Sequence, residues 1–143
     1  MKSARMIYRY LTAVVIADVL VQFFLAGAGV FSAGGGRAAR ESGTLDPHRA
    51  NGMAVTLLAL LMLVAAPGAG NSRWRWALPL FLLTLLQPVL AIAGAAGGPH
   101  VLNAAAILGT GGALAYHAWR RDGRQRSAPA PATEPAAARS GRP

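Results

Sequence analysis

The chain has 143 residues, of which 54% are hydrophobic and 13% are charged, and its mean hydropathy is +0.39. This composition is typical of a membrane protein, and the absence of cysteine excludes disulfides, iron–sulfur clusters, covalent c-type haem attachment and a cysteine nucleophile. The net charge of +9 comes from arginines at the ends of apolar runs and in a C-terminal tail without interleaved aromatic residues, so we expect no nucleic-acid partner.

Four apolar segments follow one another along the chain, at about 11–32, 50–66, 76–96 and 101–119. Each is close to the roughly 20 residues that cross a bilayer core, and short loops join the last three. We therefore predict an all-α fold for residues 1–121, a four-transmembrane-helix bundle with up-down topology.

Basic residues predict the orientation of this bundle. Eleven of the 14 lysines and arginines fall at the N-terminus, in the second loop or after the fourth segment, which predicts a multi-pass plasma-membrane protein with both termini cytoplasmic. Residues 122–143, rich in alanine, proline and arginine, are predicted to be a disordered tail near anionic lipid headgroups. Ala26-Gly27-Ala28 resembles a signal-peptide cleavage site, but Asp18 and Gln22 interrupt the preceding apolar run and argue against cleavage.

An internal repeat indicates that one helical hairpin is used twice. Gln22-x-x-Leu25-Ala26-x-Ala28-Gly29 matches Gln87-x-x-Leu90-Ala91-x-Ala93-Gly94, and each copy is followed by Pro-His-x-x-Asn at the start of an apolar segment. Two tandem hairpins predict a pseudo-two-fold axis along the membrane normal. Part of the match could be compositional, because alanine and glycine are frequent in this chain.

The Pro-His-x-x-Asn pair places two histidines at equivalent depth. Proline suits the first turn of a helix, so His48 and His100 should lie in first turns at the outer face, with Asn51 and Asn103 one turn deeper. The positive end of the helix dipole disfavours imidazolium there, and a neutral ring can bind a metal. We therefore predict a haem b held by His48 and His100. Asn51 and Asn103 would support the ligands, Gln22 and Gln87 would line the pocket, and Arg49, with Arg37 and Arg40, would face the propionates. Small residues, namely Gly27, Gly29, Gly94, Gly97 and Gly98, would admit the ring.

Two further polar side chains lie outside this prediction. Asp18 is near mid-membrane in the first segment, where a carboxyl group acts as interhelical glue or as a proton relay, with Thr56, Thr84 and Gln87 as candidate partners. His117 is 17 residues from His100, about 25 Å along a helix, so it cannot share their site. We expect it to be solvated at the inner interface.

The sequence His48-Arg49-Ala50-Asn51-Gly52, together with His100 at the start of the fourth segment, resembles the histidine motifs of one four-helix half of the haem A synthases. It also resembles small four-helix membrane families of unknown function from actinobacteria. The resemblance implies a haem b-type bundle with both histidines as axial ligands. It does not extend to haem A synthesis, because Leu45 stands where those enzymes carry a glutamate, and the cysteine pair that many of them carry is absent.

Three functions are compatible with these patterns, and none requires a stand-alone enzyme. The first is electron transfer, with a quinol or a redox protein as partner, or haem handling through the histidine pair. The second is a cofactor-free membrane subunit whose polar residues serve packing or partner docking. The third is a small proton-coupled carrier that uses Asp18, for which two hairpins are few unless the chain forms a homodimer. A homodimer or a larger membrane complex is left open.

Overall fold

The computed structural model describes residues 2–70, 73–92 and 97–126, and within these ranges it is all-helical, without β-strands. The helices in chain order are α1 (Lys2–Ser32), α2 (Gly36–Glu41), α3 (Asp46–Ala69), α4 (Trp74–Ile92) and α5 (Gly97–Arg126). The predicted all-α class is therefore confirmed. The four predicted apolar segments lie on α1, α3, α4 and α5, apart from positions 93–96, which fall outside the described residues.

The four long helices pack as a ring in the described part of the chain. α1 packs against α3 and α5, α4 packs against the same two helices, and the backbones of the two diagonal pairs do not approach each other closely. Polar contacts between Gln22 and His48, and between Asp18 and Asn51, show that α1 and α3 run in opposite directions. Gln87 with His100, and Leu83 with Asn103, show the same for α4 and α5. The starts of α3 and α5 therefore lie at one end of the ring, which we call the histidine end.

Within the described ranges, three helices are long and apolar enough to cross a membrane, and they cover Ser3–Ser32, Asp46–Ala69 and Trp74–Ile92. The fourth predicted span, on α5, does not reach the same hydropathy. Its sequence is diluted by polar Asn103 and His117 and by three glycines, Gly109, Gly111 and Gly112. The structure thus fits a membrane protein with three clear spans, and α5 is the exception.

The distribution of side-chain size also fits a membrane protein. Fully buried positions include small residues such as Ala59, Ala66 and Ala77, which let helices approach closely. Large apolar side chains point outward, with Phe31 90% exposed and Ile92 85% exposed. Water would disfavour such a surface, whereas lipid tails would not, so the outer face of the ring suits a bilayer.

The long first loop contains a short helix that the sequence pattern did not predict. Ala39 of α2 is completely buried, and the Thr44 hydroxyl donates to the Gly29 carbonyl at 3.0 Å and to the Ala39 carbonyl at 3.3 Å. An ideal Cβ on Gly29 would lie 2.7 Å from the Thr44 carbonyl oxygen. Gly29 therefore makes room for this loop.

α3 begins where the sequence predicts, and α5 ends later. Asp46 lies in the first turn of α3 with Pro47 beside it, and the Arg49 N–H donates to the Leu45 carbonyl at 2.9 Å. The α5 helix continues to Arg126, five residues past the predicted boundary at residue 121. The rest of the predicted tail, 127–143, and the repeat residues Ala93 and Gly94 lie outside the described residues.

Candidate functional site

The first copy of the repeat forms a compact hydrogen-bonded unit between α1 and α3, which we call the first clamp (Gln22, His48 and Asn51). The Gln22 side-chain amide donates to the His48 carbonyl at 2.9 Å, and the Asn51 amide donates to the Gln22 Oε1 at 2.9 Å. Asn51 also donates to the Asp18 carbonyl at 3.2 Å. Three polar side chains thereby join two antiparallel helices through side chains and backbone together.

The second copy forms the same unit between α4 and α5, the second clamp (Gln87, His100 and Asn103). Gln87 donates to the His100 carbonyl at 3.1 Å, and Asn103 donates to the Gln87 Oε1 at 2.5 Å and to the Leu83 carbonyl at 2.9 Å. Every contact of the first clamp thus recurs, with Leu83 in the place of Asp18. The repeat that the sequence predicted is therefore a repeat of three-dimensional contacts.

Backbone carbonyls determine how the two imidazoles are protonated when neutral. His48 Nδ1 lies 3.1 Å from the Gln22 carbonyl oxygen, and His100 Nδ1 lies 3.3 Å from that of Gln87. Because a carbonyl only accepts, each Nδ1 carries the proton and each Nε2 keeps its lone pair. The glutamine amide nitrogens lie 3.5 Å from these Nε2 atoms, at the outer limit of a hydrogen bond.

The two clamps bring their imidazoles together across the ring of helices. The ring centroids of His48 and His100 are 6.1 Å apart, with 62° between the ring planes. The backbones of the helices that carry them, α3 and α5, do not approach each other closely in the described chain. The prediction that the two histidines face each other at one end of the bundle thus agrees with the structure, and both rings are half-buried.

One arginine and three glycines near the predicted site also have defined surroundings. Arg49 is exposed and forms an ion pair with Asp46, with the Nη1 and Oδ1 atoms 2.7 Å apart, on the outer side of the first turn of α3. Gly52 faces the first clamp, because an ideal Cβ there would lie 3.1 Å from Gln22 Nε2. An ideal Cβ on Gly27 or Gly98 meets no neighbouring atom within 4 Å.

Asp18 contributes its backbone, rather than its side chain, to the first clamp. Its Oδ2 is buried and has no hydrogen-bond partner among the described residues. The expected partners are engaged elsewhere, because Thr56 donates to the Gly52 carbonyl at 3.0 Å and Thr84 to the Phe81 carbonyl at 2.7 Å. The amide of Gln87, the third expected partner, belongs to the second clamp.

The opposite end of the ring, which we call the basic end, holds a feature that sequence reasoning missed. A cavity of about 530 Å³ opens there between the starts of α1 and α4 and the second half of α5. Its lining consists of Tyr8, Arg73, Arg75, Trp76, Pro79, Leu114, His117 and Ala118. Tyr8 is buried although it lies only seven residues from the start of the sequence. The Trp74-Arg75-Trp76 cluster was the signal in the sequence that could have indicated this cavity.

Fold and site together define the class of this protein: a helical bundle with membrane-spanning character whose repeated clamps hold two facing histidines. Residues 22–96 match the model of the family of unknown function DUF6220, and the chain belongs to that family. The matched range contains the whole first clamp and Gln87 of the second.

No curated protein and no solved structure matches the chain. The resemblance to haem A synthases consequently has no support from these comparisons. What the chain does must be argued from the geometry of its own residues.

Proposed function

We propose that this protein binds one haem b, with His48 and His100 as the two axial ligands. The observation that supports the proposal is the 6.1 Å separation of the two ring centroids. With metal–nitrogen bonds of about 2.0–2.1 Å, the length found in zinc–histidine sites, a metal ion held by both rings would separate their centres by about 6 Å. The spacing thus suits a single iron between the rings.

The protonation pattern of the clamps supports the same ligand. A histidine that binds a metal commonly donates its other ring N–H to a carbonyl, which fixes the tautomer and the ring orientation. In both clamps Nδ1 is held by a glutamine backbone carbonyl, which leaves Nε2 as the basic atom. Gln22, Gln87, Asn51 and Asn103 then act as positioning residues, because they contact the histidines or one another.

The number of ligands favours haem over a bare metal ion. The described residues contain no group of three or more histidine, cysteine, aspartate or glutamate side chains that could hold a metal. Protein sites for bare zinc use three or four protein ligands, whereas a porphyrin brings four nitrogens and needs only two axial ligands from the protein. Arg49 near the rim would supply a cation for a propionate if its pair with Asp46 opened.

Bound haem would supply one-electron chemistry near the histidine end. We propose electron transfer, with a quinol or a redox protein as partner, or haem handling, in a plasma-membrane bundle of four up-down spanning helices with both termini cytoplasmic. The ring of helix contacts and the eleven basic residues on one side support this arrangement. Two tandem hairpins then present equivalent histidines on the outer side.

A spectrum of the full-length protein tests the haem proposal. Protein expressed with sufficient haem and purified in detergent should show a six-coordinate, low-spin haem b spectrum in oxidised and reduced forms. His48→Ala and His100→Ala should each abolish this signature, whereas His117→Ala is the matched control and should keep it. A colourless wild-type protein, or a spectrum that survives both ligand substitutions, would overturn the proposal.

The completeness of the clamps favours one second candidate, a cofactor-free membrane subunit. Each glutamine amide lies 3.5 Å from the Nε2 of its histidine, so the network can close without any ligand. In that case the clamps serve to hold each pair of helices together. The same experiment separates the two, because this role predicts a stable, folded and colourless protein under haem-replete expression.

A further inference from the structure

The basic-end cavity combines a polar side and an apolar side. Tyr8 of α1 and the two arginines that flank the start of α4, Arg73 and Arg75, contribute the polar groups. Pro79 of α4 and Leu114 and Ala118 of α5 contribute apolar wall. A volume of about 530 Å³ is within the range of roughly 300–1,000 Å³ that is usual for sites of small molecules.

Tyr8 is the strongest indication that something binds in this cavity. Its side chain is 1% exposed, and its hydroxyl group has no hydrogen-bond partner among the described residues. A buried hydroxyl without a partner is costly, so such groups normally meet a protein atom, a water or a ligand. The Arg73 guanidinium lies over the Tyr8 ring, 4.9 Å from its centroid, which places a cation beside the phenol.

The charge of the cavity indicates the sign of the ligand. Two arginines line it, and no carboxylate is among the described residues that line it. A third arginine, Arg9, lies over the neighbouring Trp119 ring at 3.5 Å. Guanidinium groups bind phosphate oxygens through paired N–H donors, and a phenol O–H adds one more donor. This donor set is suited to an oxyanion of the phosphate class.

We propose that the basic-end cavity binds the phosphate group of an anionic phospholipid. Tyr8, Arg73 and Arg75 would hold the phosphate, and the wall formed by Leu114 and Ala118 would contact the glycerol and the first methylene groups. A free phosphate ion would use the same donors but would leave most of the cavity and all of its apolar wall unfilled. Basic pockets between helices at the cytoplasmic side of a membrane are known to take such headgroups.

Titration of the full-length protein in detergent with dihexanoyl phosphatidylglycerol tests this site. Binding is followed by tryptophan emission, since Trp76 lines the cavity. Tyr8→Phe keeps the ring and removes one hydrogen bond to a charged acceptor, so it should weaken binding roughly tenfold. Arg73→Gln should weaken it further, and exposed Arg37→Gln at the histidine end is the charge-matched control with no expected effect.

Two other probes distinguish the sources of the phosphate. Dihexanoyl phosphatidylcholine should bind more weakly than phosphatidylglycerol, and inorganic phosphate should fail to displace the lipid at equal concentration. Displacement by inorganic phosphate, with the same loss in Tyr8→Phe, would overturn the lipid as occupant in favour of the free ion. Equal binding of the two lipids would overturn the preference for an anionic headgroup, and unchanged binding in both Tyr8→Phe and Arg73→Gln would overturn the site itself.

Discussion

Replacing Gln22 by leucine should remove the central amide of the first clamp while nearly conserving side-chain volume. The substitution deletes two interhelical hydrogen bonds, one to the His48 carbonyl and one from the Asn51 amide, each 2.9 Å long. Each bond of this kind contributes about 0.5–1.5 kcal/mol net, and bonds within membranes lie near the lower end of that range. The expected loss in the free energy of unfolding is therefore about 1–2 kcal/mol.

Reversible unfolding in detergent micelles, followed by far-UV circular dichroism, measures this loss. Val21→Leu is the matched control, because Val21 is the neighbouring residue, is 45% exposed and faces away from the clamp. Gln87→Leu should cost about as much as Gln22→Leu, since the second clamp repeats the same bonds at 3.1 and 2.5 Å. A double-mutant cycle between Gln22 and Asn51 should give a coupling of about 0.5–1.5 kcal/mol.

Two results would refute this reasoning. One is a Gln22→Leu protein as stable as the Val21→Leu control. The other is full additivity of the Gln22 and Asn51 substitutions, because residues that share a hydrogen bond must show an interaction energy. A large loss for Gln22→Leu with none for Gln87→Leu would contradict the equivalence of the two clamps.

Four further substitutions test other positions of the bundle. Gly29→Val should destabilise by roughly 1–3 kcal/mol, because its Cβ would lie 2.7 Å from the Thr44 carbonyl oxygen, and the unfolding midpoint reports it. Leu80→Ala, at a completely buried position, should cost about 2–5 kcal/mol, whereas Leu102→Ala, 73% exposed, should cost less than about 0.5 kcal/mol in the same assay. Asp18→Asn should leave stability unchanged, since Oδ2 has no hydrogen-bond partner in the described chain; loss of proton-coupled uptake in this variant would instead favour the carrier hypothesis.

The sequence predicted the helices and the position of the histidine pair because both depend on local patterns. Apolar runs of spanning length predicted α1, α3 and α4, and proline followed by histidine predicted the first turns that carry His48 and His100. The repeat then predicted that both first turns belong to equivalent hairpins. Because the four long helices pack as a ring, the two imidazoles then face each other.

Other features depend on contacts that leave little trace in a sequence. The asparagine amides donate to backbone carbonyls of other helices, and any residue could supply such a carbonyl, as Asp18 does for Asn51 and Leu83 for Asn103. The short helix α2 has only six residues and no apolar periodicity of its own, so the sequence pattern did not distinguish the Gly36–Glu41 segment from a loop. Tyr8 belongs to the cavity only because the folded bundle brings it together with residues around the start of α4 and on α5, which are distant in sequence.

The backbone carbonyl of Asp18 takes part in the first clamp at the histidine end, whereas its side chain does not. Its carbonyl serves the first clamp just as the Leu83 carbonyl serves the second, so the clamp has no use for a carboxyl group. The Asp18 Oδ2 is buried without a hydrogen-bond partner among the described residues, and the second clamp makes the same contacts with a leucine at this position, so the contacts of the clamp do not explain the carboxyl group. An Asp18→Asn protein that keeps both its stability and the haem spectrum expected of the wild type would show that the carboxyl group serves neither the clamp nor haem binding, whereas loss of that spectrum alone would assign the carboxyl group to the haem site.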